Sequence, residues 1–149
     1  MALFRSQPHS TPSNAFIDFQ IIDVKVVDPT AMDPDAAVFM LKPGQPFTFV
    51  VKVTGTGSLW TGLNIASAAT WQTKFYANAL GIDVQGEKNF STAPGALTPD
   101  TNPNTYRVEL PVPGGLTTEG VYELGALVRL PATGINGSAD EYHIDVAAN

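Results

Sequence analysis

A chain of 149 residues with 44% apolar and 15% charged side chains has the material for one core, and a domain of that length buries roughly 68–70% of its unfolded surface. The formal net charge is −6, with only eight Lys and Arg residues; nucleic acid and anionic membrane surfaces both require clustered cations and are excluded as expected partners. Cysteine is absent, which removes disulfides, thiolate metal sites and cysteine nucleophiles together.

The first ten residues, Met1 to Ser10, contain no apolar h-region, and no run approaches the ~18 apolar residues of a membrane span. The expectation is a chain made as a soluble cytoplasmic protein, its compartment of action left open, with incorporation into a virion or appendage among the options. Residues 1–15 are polar, hold Pro8 and Pro12 and show no period. They read as an extended N-terminal arm, and residues 16–149 as one domain.

Phe16 to Asp28 is the first strong strand. Ile17, Phe19 and Ile21 share one face, and after Ile21-Ile22 the apolar set moves to Ile22, Val24 and Val26. Such a phase change means a bulge, or a strand that crosses from one sheet to the other. Asp28 to Asp35 is a loop, followed by a short apolar run at Val38 to Leu41 and a turn at Lys42-Pro43-Gly44-Gln45. Phe47, Phe49, Val51 and Val53 then alternate with Thr48, Val50, Lys52 and Thr54, the clearest half-buried strand of the chain.

Between Ala66 and Leu80 the alanines and Gly81 favour a helix by propensity. Thr70 to Tyr76, however, is rich in β-formers, with Trp71, Thr73 and Phe75 on one face, so a strand is expected around 70–78. Residues 81–104 have loop composition with a short strand near Ile82 to Val84. Tyr106, Val108, Leu110 and Val112 mark another strand, and residues 120–130 the next. Ile135-Asn136-Gly137-Ser138 reads as a hairpin turn, because Asn-Gly takes positive φ readily. Tyr142, Ile144 and Val146 form the last strand. No internal repeat is evident.

The segment Gly115 to Leu124 is the most informative. A polar turn enters a strand whose second position is Tyr122, and Leu124, Ala126, Val128 and Leu130 recur every second residue. This resembles the tyrosine corner of immunoglobulin-type sandwiches, whose phenol bonds back to upstream backbone. With the Pro43-Gly44-Gln45 turn ahead of a Phe-rich strand, the span from Phe16 to Val146 resembles an immunoglobulin-like or fibronectin-like module. The resemblance implies an all-β, antiparallel two-sheet sandwich of about seven strands. Leu124 stands where antibody-type domains carry cysteine. The likeness implies no catalytic residues, because fold does not determine function.

Candidate constellations are few. Glu141, His143 and Asp145 project from one face of a strand and could hold a metal or position a base; the expected reading is the solvent face of a terminal edge strand, opposite Tyr142, Ile144 and Val146. His9, the other histidine, lies in the arm. Asp28, Asp33 and Asp35 invite a calcium reading, but their spacing lacks the alternation of an EF-hand loop and Asp-Pro pairs ordinarily start turns; Asp100, Asn102 and Asn104 form a second, weaker set. Trp71 and Phe75, in the same run as Tyr76, are expected in the core, leaving Trp60 as the aromatic expected to be exposed for sugar stacking. Asn89-Phe90-Ser91 and Asn136-Gly137-Ser138 match a glycosylation pattern at chance frequency. No phosphate loop, nucleophile elbow or zinc pattern occurs. Accordingly no catalytic, cofactor-binding or metal residue is assigned and no cofactor is expected.

The expected function is a non-enzymatic structural or protein-interaction module, a subunit of a larger assembly such as a virion, filament or appendage. Its partners are expected to be copies of itself or other subunits, reached through the arm or the sheet edges. The alternative is a glycan- or small-ligand-binding sandwich using Trp60 or the loop acids, with or without calcium. An enzyme built around His143 is a distant third.

Overall fold

The computed structural model describes residues 16–80 and 87–148; the expected arm at 1–15 and the short strand expected near Ile82 to Val84 lie outside the described residues. Alternating apolar residues give the chain its strands. Among the described residues these are β1 (Asp18–Val27), β2 (Met40–Leu41), β3 (Phe47–Thr56), β4 (Gln72–Leu80), β5 (Glu87–Ser91), β6 (Thr98–Pro99), β7 (Thr105–Val112), β8 (Gly120–Leu130) and β9 (Ile135–Val146), with a helical turn α1 (Ser58–Gly62) and a 3-10 turn at Ile65–Ser67.

One sheet has the order β1-β3-β7-β6 and the other β2-β9-β8-β4-β5. With β1, β3, β4, β6, β7, β8 and β9 lettered A to G, the sheets read A-B-E-D and G-F-C, the arrangement of an immunoglobulin sandwich. Seven strands thus make up the sandwich, the number expected, although β6 is not among those read from the sequence. β5 extends the second sheet beyond β4, and β2 adds beside β9 as its one parallel neighbour. β5 and β6 fall in the stretch read as loop. Both are short and lie at sheet margins, where alternation is not enforced by burial on a face.

The phase change at Ile21-Ile22 is a bulge. The register of β1 against β3 slips between Ile21 and Asp23, while β1 stays in one sheet along its whole length. Phe19, Ile21, Val24 and Val26 consequently all face the core. Across the interior, Phe49 of β3 stacks on Phe75 of β4 with centroids 4.8 Å apart, and Phe19 of β1 meets Trp71 at 5.1 Å. These contacts tie one sheet to the other, and such aromatic pairs contribute about 0.5–1.5 kcal/mol beyond the area they bury.

The corner is formed. Tyr122 is buried, and its phenol donates to the Thr118 carbonyl at 2.7 Å. A second phenol has a similar duty: Tyr142 of β9 donates to the Val38 carbonyl. Together with the Val38 amide, which donates to the Val26 carbonyl at 2.9 Å, it closes off the end of the β1 edge.

Two expectations are corrected. Asn136 and Gly137 are not a turn: they lie within β9, paired with Arg129 and Val128 of β8. The reversal comes earlier, at residues 131–134, where Ala132 (φ 68°) and Gly134 (φ 80°) supply the positive φ. Thr133 fastens it by donating to the Leu130 carbonyl at 2.7 Å. Trp60 is not exposed. It is 3% exposed, on the turn of helix that follows β3, and packs against Phe19, Trp71 and Tyr106. Gly57 (φ 118°) makes that turn possible, because a Cβ there would lie 2.2 Å from the Phe16 carbonyl oxygen. The same carbonyl accepts the Leu59 and Trp60 amides at 3.0 and 3.3 Å, so the incoming chain caps the helical turn.

Candidate functional site

The outward residues of the four-stranded sheet carry most of the charge chemistry. Asp23, Lys52 and Arg107 stand in one register row across β1, β3 and β7, and Thr98 of β6 extends the row. Lys25 lies two residues along β1, on the same face as Asp23. The loop between β1 and β2 folds over this surface and brings Asp35 into it. Arg107 pairs with Asp35 and with Glu109, and donates to the Pro34 carbonyl at 2.8 Å. Lys25 lies 3.1 Å from Asp23 and 3.5 Å from Asp35.

Lys52 joins the two acid sets that invited a calcium reading. Its Nζ is 3.3 Å from Asp35 and 3.0 Å from Asp100. The approach to Asp100 Oδ2 is an ionic contact rather than a well-directed hydrogen bond. A lysine ammonium therefore occupies the point between the carboxylates. Asp28 is engaged separately, accepting from the Thr30 amide and hydroxyl at 2.8 Å each, and Asp33 accepts the Asp35 amide at 2.9 Å. These are Asx turns that shape the loop. Among the described residues, no three His, Asp or Glu side chains come together as a metal site would require.

The electrostatics follow from this geometry. The Arg107 guanidinium, helped by Lys52 and Lys25, holds the Asp35 carboxyl down to about 2 against the opposing effect of desolvation. Lys52, then the Thr101 amide, lower the pKa of Asp100. Burial works against the Lys52 ammonium, yet Asp100 and Asp35 outweigh it and the net shift is upward. The cluster keeps its charges fixed through the neutral range, the opposite of a general acid or base poised near the working pH.

His143 and Asp145 share the outer face of β9, His143 exposed and opposite Glu123, Asp145 opposite Val121. β9 is not a free edge: β8 pairs along one side, and β2 covers Asp145 and Val146 on the other. Between Ala139 and Tyr142 the register of β9 against β8 slips at a bulge; the Glu141 side chain lies outside what the structure describes. Asn102 and Asn104 belong to the β6–β7 turn, where Asn104 has φ 61° and its carbonyl accepts the Gly55 amide at 3.0 Å.

The open part of β7 went unread in the sequence. β6 pairs only with Tyr106 and Arg107, so among the described residues Val108 to Val112 has a strand on one side alone. In front of this edge lies a groove of about 360 Å³, floored by Trp71, Leu97 and Val108 and rimmed by Thr73, Thr92 and Thr98, with Arg107 and Glu109 at its mouth. Thr105 offers its carbonyl to the Asp100 amide on the β6 side. In an antiparallel ladder the residues two and four further along, Arg107 and Glu109, point their backbone groups the same way. Pro111 follows in that phase and has no N–H to lose, as an edge proline must be placed.

Comparison with known proteins finds no matching family model and no matching curated protein. Solved structures similar to this chain include two of one domain. One is the crystal structure of the CARDB domain of the PF1109 protein from Pyrococcus furiosus in complex with di-metal ions, with a TM-score of 0.48 and 14% identity over 93% of this chain and 95% of that one. The other is a solution NMR structure of the CARDB domain of PF1109, with a TM-score of 0.47 and 15% identity over 91% of this chain and 100% of that one.

Proposed function

We propose that the chain is a non-catalytic protein-interaction module that takes up an extended segment as an added strand beside β7, the donor being the N-terminal arm of a second copy. The observation that carries this reading is the stretch of β7 that no other described strand covers, facing an apolar-floored groove. Strand addition draws affinity from main-chain hydrogen bonds and specificity from pockets for alternate side chains. Other edges suit it less. β1 is closed at one end by Tyr142 and Val38, and β5 opens with Glu87 and Lys88.

The arm has the chemistry of a donor. Leu3 and Phe4 are apolar anchors, and no proline interrupts residues 1–7. Arg5 is the arm's one charged side chain, so no carboxylate of the arm opposes its docking against a chain of net charge −6. The alternative of a glycan or calcium module loses its original supports, since Trp60 is in the core and the loop acids are bound by Lys52, Arg107 and the loop's own backbone.

Sedimentation velocity of the full chain, of a form lacking residues 1–15 and of Glu109→Pro tests the reading. Proline at 109 removes an outward N–H while leaving the β3 ladder intact. Both altered proteins are expected to keep the β-sheet circular dichroism spectrum and to sediment as monomers where the full chain associates. An assembly size unchanged by either alteration, or a full chain that is itself monomeric, overturns it.

A further inference from the structure

We infer that the outer face of the five-stranded sheet carries a carboxylate-binding cleft centred on Lys74 and Arg129. In the register of β4 against β8, Gln72 faces Arg129 and Lys74 faces Leu127. Thr73, Phe75, Val128 and Leu130 are buried on the inner side, so Gln72, Lys74, Leu127 and Arg129 point outward together. Lys74 and Arg129 are diagonal neighbours, which in a sheet places their backbones roughly 7–8 Å apart. Two long cationic side chains at that spacing can close on one small anion. A cleft of about 350 Å³ lies between them, with Leu127 and Pro94 as apolar walls and Ser91 and Thr92 hydroxyls at the side.

Arg129 is held but not neutralised. Its Nε and Nη2 both donate to Gln72 Oε1, at 3.2 and 3.0 Å. A glutamine in this position fixes the plane of the guanidinium while leaving its charge free for a bidentate acceptor. The contrast with the opposite sheet is sharp. There Lys25, Lys52 and Arg107 each meet carboxylates of the chain. Among the described residues, neither Lys74 nor Arg129 makes such a pair, and no acid lines the cleft. In a chain of net charge −6, a two-cation cleft without an internal acid selects a ligand that brings its own.

The ligand class is a carboxylate on a short carbon stem or ring that can rest on Leu127. A sugar acid and a glutamate side chain of a protein partner share that chemistry. The cleft adjoins the groove beside β7, since Thr73 and Thr92 line both, but its two cations belong to the other sheet and lie outside that groove.

Titration of the full-length ¹⁵N-labelled chain with sodium glucuronate and with acetyl-Gly-Glu-Gly-amide, using glucose and acetyl-Gly-Gln-Gly-amide as neutral counterparts, tests it by NMR. Saturable shifts confined to the amides around Lys74, Ser91, Thr92, Leu127 and Arg129 are expected with the acids and not with the neutral compounds. The tighter of the two acids identifies the source. Gln72→Glu places a carboxylate inside the cleft and Lys74→Gln removes one cation; each is expected to weaken binding at least about tenfold, with the rest of the spectrum unchanged. Shifts that never saturate, equal shifts with the neutral compounds, or Gln72→Glu binding as tightly as the parent overturns the inference.

Discussion

Gly55 and Trp60 offer the most direct test of how this sandwich is closed at one end. Gly55 is the ninth residue of β3, paired with Phe19 and buried. A Cβ built there would lie 2.0 Å from Cζ2 and 2.1 Å from Cε2 of Trp60. Carbon atoms pack best at about 3.5–4.0 Å, so Gly55→Ala requires the indole to retreat by roughly 1.5 Å or more. It has nowhere to go: Phe19 and Trp71 stand 5.7 and 5.9 Å from its centroid, and Tyr106 5.8 Å. Overpacking of this kind costs about 1–3 kcal/mol, and the rigid neighbours place this case near 3. For a chain of this length that corresponds to a fall in Tm of roughly 6–12 °C. Urea denaturation followed by tryptophan fluorescence measures it. The decisive comparison is with Trp60→Leu, a residue that leaves room for the methyl group. Gly55→Ala is expected to cost under about 1 kcal/mol in that background, a coupling that a double-mutant cycle isolates. An equal cost in both backgrounds, or no cost in the parent, would refute the argument that the missing Cβ makes space for the indole.

Two further predictions concern the phenols. Tyr122→Phe keeps the ring and loses the bond to the Thr118 carbonyl; because Thr118 is exposed and its carbonyl can turn to water, a loss of about 0.5–1.5 kcal/mol is expected by denaturant titration. Burial pushes the Tyr142 hydroxyl up to about 12 from an ordinary 10.0. Its folded pKa is thus raised, so its contribution is fully present below pH 10 and fades as the pH climbs toward 12, by about 2–3 kcal/mol in all. Tyr142→Phe is therefore expected to flatten the alkaline limb of the stability curve between those values, and an unchanged limb would assign the loss to other groups.

The architecture was legible wherever burial imposes a period. Leu124 to Leu130 alternates because one face of its strand is turned to the core, and Ile21-Ile22 betrayed its bulge by breaking such an alternation; in β3 the alternation marks the core face, although Thr48 and Val50 on the opposite face are buried as well. Tyr122 located the corner from a single side chain. What escaped the reading has physical causes. Asn136-Gly137 has the local chemistry of a turn, but Pro131 to Gly134 already reverses the chain, and tertiary pairing with Arg129 and Val128 keeps Asn136 and Gly137 in β9. Trp60 looked exposed because its neighbours are glycines; one of those, Gly55, is small so that the ring can be buried. The charged cluster was invisible since Lys25, Lys52 and Arg107 are neighbours only through strand pairing, and the same holds for Lys74 and Arg129. The visible hint was a cation set between apolar residues, as in Val51-Lys52-Val53 and Tyr106-Arg107-Val108.

The parallel pairing of β2 with β9 has a mechanical consequence. β2 follows the strand by which the described chain enters, and β9 is the strand by which it leaves. Once β1 has been pulled away from β3, tension applied between Phe16 and Ala148 draws these two neighbours in opposite senses along their length. The bonds from the Asp145 amide to the Phe39 carbonyl (3.0 Å) and from the Ala147 amide to the Leu41 carbonyl (2.9 Å) are then strained simultaneously, not one after another. A pairing wired in this way resists stretching by shear and does not unzip from its ends.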